Sequence, residues 1–150
     1  MTAHSDLGDI IDLDRYPLTT DALARQCGDR LQEDGVVTLP GFLRPEAVAK
    51  LVAEAEEAAS LAYYTASTHS VYLTPPDPAL PADHVFNRQL SSSKGCITTD
   101  QIPENSPLHQ IYDAEMFKTF VARLVGEDGL YPYADSLSSI NVHYAGAGKE

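Results

Sequence analysis

Four prolines, Pro75, Pro76, Pro78 and Pro81, fall within seven positions near the middle of the chain. Each fixes φ and removes a backbone donor, so no helix or central strand can run through them. They divide the 150 residues into two patterned flanks around an irregular middle, from about residue 63 to residue 106. A segment of that length inside one domain is more often a lid or binding loop than plain connection. Short extended pieces are expected within it only at 84–89 and 95–99. The run Ser91, Ser92, Ser93, Lys94, Gly95 reads as flexible loop.

The flanks carry the regular patterns. Residues 1–18 read as an irregular, acidic lead-in closed by Pro17. Thr20 can cap a helix over 21–33, with Leu23, Cys27 and Leu31 on one face. Gly35 stops that helix, and 36–39 predicts a short apolar strand before Pro40 and Gly41. A second helix starts at Pro45, a residue suited to the first helical position. Its expected buried stripe is Val48, Leu51, Val52, Ala55 and Ala59, with Glu46, Lys50, Glu54 and Glu57 facing water. Beyond the middle, Ser106 and Pro107 open a helical turn through Tyr112. Asp113 is placed to cap a helix with Phe117, Phe120, Val121 and Leu124 on one face, ending at Gly126. Strands are expected over 130–133 and 138–145, the last running into a turn at Gly146, Ala147, Gly148 and Lys149. Helices precede strands, which makes the class α+β.

Charge narrows the partners. Ten Lys and Arg stand against 22 Asp and Glu, a net charge of -12. A nucleic-acid partner needs a basic footprint, and none is visible. The acidic surface favours cationic small molecules instead. No apolar run approaches the ~20 residues of a membrane span. Residues 1–15 hold acids where a signal peptide has basic and apolar regions. Cys27 and Cys96 lie far apart without CxxC spacing, so both are expected as reduced thiols of a cytoplasmic protein.

Candidate chemistry is sparse. His4, His69, His84, His109 and His143 include no pair at metal-ligand spacing. Strand alternation puts Asn141 and His143 on one face of the last strand, Val142 and Tyr144 on the other. Arg88 follows Val85, Phe86 and Asn87; it can grip a carboxylate bidentately or bridge to one of the 22 acids. Asp135, beside Tyr131 and Tyr133, can hold an ammonium group or cap a turn through Ser136.

The order of parts resembles a known family. A helix, the run Gly35-Val36-Val37-Thr38-Leu39-Pro40-Gly41-Phe42-Leu43 and the helix from Pro45 are similar to the opening of iron(II)/2-oxoglutarate oxygenases of the phytanoyl-CoA and prolyl hydroxylase type. The run from Asn141 to Glu150 resembles the strand and turn that lead into their HxD or HxG iron motif. Ser93-Lys94-Gly95, Asp100-Gln101-Ile102-Pro103, Ser106-Pro107-Leu108 and Tyr133-Ala134-Asp135-Ser136-Leu137 resemble the bacterial subgroup of free-amino-acid hydroxylases and radical halogenases.

This resemblance implies N-terminal helices packed on a double-stranded β-helix, the cupin-like jelly-roll. Residues 19–150 would be the N-terminal part of that single domain, truncated before the iron motif. It implies Fe(II) and O2 with 2-oxoglutarate as co-substrate, oxidising an unactivated carbon of a small amino acid; the acidic charge fits a basic one. Tyr144 and Asn141 are the implied 2-oxoglutarate contacts, together with His143, which stands where many relatives have arginine. Arg88 is the implied partner of the substrate carboxylate and Asp135 of its amine. The iron ligands are implied beyond Glu150. There an aspartate would mean hydroxylation, and a glycine would leave room for chloride. The alternative from another class is a small acidic, non-catalytic binding module complete at 150 residues, with the proline-rich loop as its contact surface.

Overall fold

The computed structural model describes residues 7–145. The described residues hold five α-helices: α1 (Leu7–Ile10), α2 (Asp21–Asp34), α3 (Pro45–Ala58), α4 (Pro107–Asp113) and α5 (Glu115–Val125). Three strands form an antiparallel sheet in the order β1-β2-β3: β1 (Tyr63–Ser70), β2 (Gln89–Ile97) and β3 (Val142–Ala145). The fold is therefore α+β. No helix among the described residues is long and apolar enough to cross a membrane.

The helical core starts earlier than the sequence pattern suggests. Ile10, Ile11, Tyr16 and Leu18, all within the acidic lead-in, are buried beside Ala24, Cys27, Ala47 and Phe120. Ile11 bridges antiparallel to Leu43, the Tyr16 hydroxyl donates to the Pro40 carbonyl at 2.8 Å, and Arg44 Nε donates to the Gly8 carbonyl at 2.6 Å. Residues 7–18 thus form a wall of the core with their acids outside. A single helical turn followed by irregular chain has no period to reveal this. The stretch 36–39 forms no strand among the described residues, and Val36 is exposed.

Helix α2 matches expectation from Thr20 to Gly35, although the Thr20 hydroxyl donates back to the Pro17 carbonyl instead of capping the helix. Gly28 lets α2 approach α5 closely: a Cβ there would lie 3.0 Å from the Leu124 carbonyl oxygen. Helix α5 ends at Gly126 as expected, but Asp113 closes α4 and the residue before α5 is Ala114. Helix α3 is rotated relative to its expected stripe. Ala47, Leu51, Glu54, Ala55 and Ala58 turn inward, while Val48 and Val52 stand exposed. A polar anchor holds that rotation. The fully buried Ser106 donates to the Glu54 carboxylate at 2.6 Å, and Lys50 Nζ donates to the Asn105 carbonyl at 3.0 Å.

The middle of the chain departs most from expectation. Strands β1 and β2 form a long hairpin in which Tyr63 faces Cys96 and Ser70 faces Gln89. The prolines interrupt only the 71–88 connection. Half of β1 is Ser or Thr and β2 carries three successive serines, so no apolar alternation marks them; backbone pairing makes the hairpin. Residues 84–87, expected extended, form a turn closed by Asn87 N–H on the His84 carbonyl at 2.8 Å. The strand expected at 130–133 is absent, because Tyr133 N–H donates to the Tyr112 hydroxyl at 2.8 Å and not to a ladder. The last strand begins at Val142, since Ile140 is held instead by both its backbone groups on the Thr99 hydroxyl. His4 and the expected turn at 146–149 lie outside the described residues.

Candidate functional site

The sheet has two chemically distinct faces. Register puts Tyr64, Gly95 and Tyr144 in one row across it, and Tyr63, Cys96 and His143 in the next row on the opposite face. The first face turns toward α3. There Val142, Tyr144 and Ile97 meet Leu51, Ala55 and Ala58 around a cleft of about 20 Å³, room for about one water molecule. The Tyr144 hydroxyl donates to the Ala55 carbonyl at 2.5 Å. Burial, and then the neighbouring Tyr64, pushes the Tyr144 phenol above its ordinary value. Tyr64 lies across Gly95, where a Cβ would come within 2.6 Å of its ring.

The second face is open. Tyr63, Lys94, Asn141 and His143 are exposed on it and Cys96 is half-buried. The Cys96 thiol donates to the Asn141 side-chain oxygen at 3.7 Å, and the Asn141 amide nitrogen donates to the Ser138 carbonyl at 3.3 Å. Asn141 and His143 therefore share a face, as strand alternation predicts. Tyr144 is on the other side of the sheet, occupied with α3, so these three residues do not line one surface. Lys94, Cys96 and Tyr63 join Asn141 and His143 in space, and only the strand register reveals them. In the sequence Lys94 belongs to a serine run with the look of a loop.

The two expected substrate contacts are far apart. Arg88 precedes β2 at one end, exposed and without a carboxylate partner among the described residues. Asp135 lies near the other end, where Thr99 N–H donates to the Leu137 carbonyl at 3.2 Å. Arg88 and Ile97 are separated by the length of β2, roughly 30 Å at the ordinary rise per residue. A small amino acid cannot reach both groups. The carboxylate of Asp135 accepts from Leu137 N–H and from the Ser138 hydroxyl, each at 2.9 Å. These two hydrogen bonds hold it below the usual carboxylate value. Turn capping is thus its observed role, one residue further along than Ser136.

No three His, Cys, Asp or Glu side chains among the described residues are grouped to hold a metal ion. The cleft beside Tyr144, with room for about one water molecule, is too small for 2-oxoglutarate. No family model, curated protein or solved structure matches the chain.

Proposed function

We propose that this chain is the N-terminal part of an Fe(II)/2-oxoglutarate-dependent oxygenase that hydroxylates or halogenates a small free amino acid. The observation that carries the reading is the sequence run Asn141-Val142-His143-Tyr144, similar to the strand that leads such enzymes into their iron motif. Its agreement with the Gly35–Leu43 run and the helix after it adds weight. In this reading β1, β2 and β3 are the first strands of a jelly-roll, and the open face with Asn141 and His143 is the face turned to the reaction. Iron with 2-oxoglutarate and O2 would supply the oxidising power, with the ligands coming from beyond Glu150. This chain's own contribution is binding: the unpaired guanidinium of Arg88 offers a carboxylate site on the 71–88 connection.

The test is succinate release by the natural protein that contains this chain, supplied with Fe(II), 2-oxoglutarate and a panel of free amino acids. Stimulation by at least one amino acid is expected. No stimulation by any of them counts against the substrate class, and no iron-dependent succinate at all counts against the reaction. The 150-residue chain alone is expected to be inactive.

One observation favours the second reading, a non-catalytic interaction module. The connection between β1 and β2 exposes Val71, Tyr72, Leu73 and Val85, with Tyr72 stacked on Phe86 at 5.0 Å between ring centres. An apolar tip of this kind suits contact with another protein. Retained binding to a partner with no turnover under the conditions above would select it.

A further inference from the structure

β1 is an outer strand of the sheet, and nothing among the described residues pairs with its far edge. Outer strands commonly carry a lysine, a proline or a bulge that stops another chain from adding to them. β1 has none of these, and its register with β2 runs unbroken from Tyr63 to Ser70. Its residues from Tyr63 to Thr68 are all exposed, Tyr63 by 75% and Tyr64 by 58%. Charge indicates what can lie along this edge. From Ala58 to Pro76 the chain has no Asp, Glu, Lys or Arg, although the whole carries a net charge of -12. Two copies meeting over an acidic surface repel each other. Along β1 no acid opposes another.

We propose that β1 pairs antiparallel with β1 of a second copy of this chain, joining two three-stranded sheets into one. Backbone geometry restricts the register. Residues opposed in an antiparallel ladder either both point their backbone groups at each other or both point them away. Alternate residues of β1 are already spent on β2, so the twofold axis must fall on a residue and not between two. Ser70 selects which residue. It is 1% exposed, and its carbonyl accepts from Leu73 N–H at 3.0 Å, so it is committed to the 71–88 connection. The residues left, Tyr63 to His69, centre on Ala66. Tyr63 then faces His69 of the second copy, Tyr64 faces Thr68 and Thr65 faces Ser67. Aromatic and Thr–Ser pairs of this kind stabilise paired strands. The small Ala66 meets its own copy on the axis. With one such edge per copy, the assembly closes at two. The proposal is independent of the oxygenase reading, since it needs neither iron nor turnover.

The experiment is analytical ultracentrifugation of the natural protein that contains this chain, over a series of concentrations. A reversible equilibrium between monomer and dimer is expected. Ala66→Lys, at an exposed position, sets two ammonium groups against each other on the axis and is expected to weaken the dimer about tenfold or more. Val36→Lys adds the same charge at an exposed position outside the sheet and is expected to leave the dimer unchanged. Ala66→Cys in a Cys96→Ser background is expected to give a disulfide-linked dimer on mild oxidation, since the two sulfurs face each other across the axis. Circular dichroism checks that each variant is folded. Four results overturn the proposal. A monomer at every concentration leaves the edge to a strand of another protein. A dimer that both lysine substitutions affect alike has its contact on another surface. A dimer that Ala66→Cys does not cross-link lacks the twofold at that residue. Growth past the dimer is more than one edge per copy can produce.

Discussion

Tyr144 of β3 donates its phenolic proton to the Ala55 carbonyl of α3, across 89 positions of sequence. Through this bond the short third strand is fastened to the helical layer. Tyr144→Phe keeps the ring packed against the cleft and removes only the hydrogen bond. A loss of about 1 kcal/mol is expected, the usual net worth of such a bond. Urea denaturation of the two proteins measures it, and an unchanged midpoint would show the bond to be idle.

Tyr64 occupies the space that a side chain at position 95 would need. Gly95→Ala should cost about 1–2 kcal/mol, because the ring must move aside. In a Tyr64→Ala background the same substitution should cost less than half as much. A double-mutant cycle reads the difference directly; additive costs would mean that the two positions are not coupled.

Ile11 is completely buried although it lies in the acidic N-terminal stretch. Ile11→Ala is expected to destabilise the protein by about 3 kcal/mol, the range for truncating a core aliphatic side chain. A loss below ~0.5 kcal/mol, typical of surface positions, would show that the stretch is a detachable tail. Thermal melting of the variant beside Val36→Ala, an exposed control, separates the two outcomes.

Asp135 ties pH to the turn before β3. Its hydrogen bonds from Leu137 and Ser138 lower the folded-state pKa below the unfolded value. The stabilisation is therefore complete above the unfolded carboxylate pKa of ~3.9 and fades as pH falls through the folded one. Asp135→Ala should weaken the fold at pH 7, and the gap to the parent protein should close in acid. Urea midpoints measured across that range give the profile; a gap that widens in acid has the wrong sign.

Arg88 is exposed and bridges no acid among the described residues. Arg88→Ala should leave stability within about 0.5 kcal/mol of the parent. If the guanidinium grips a desolvated substrate carboxylate, the same change should weaken binding by ~1.5–3 kcal/mol. Titration calorimetry on the complete protein with the amino acid that stimulates it distinguishes a ligand contact from a bystander.

Local chemistry determined the helices. Pro45, Gly35, Gly126 and the spacing of Leu23, Cys27 and Leu31 or of Phe117, Phe120 and Leu124 mark elements through contacts a few residues apart. Alternation likewise determined that Asn141 and His143 share a face without Tyr144. Non-local contacts decided the rest. The β1–β2 hairpin rests on backbone pairing between Ser- and Thr-rich strands, which leaves no hydrophobic period to read. The rotation of α3 depends on Ser106 reaching Glu54 from 52 positions away, and the burial of Ile10 and Ile11 on helices that follow them. The four prolines did exclude regular structure, but only over the 71–88 connection, because a proline acts on its own turn and not on strands paired beyond it. The same cross-strand pairing brought Cys96 beside His143 and kept Arg88 away from Asp135. Which side chains share a site is set by register, and register belongs to the tertiary structure.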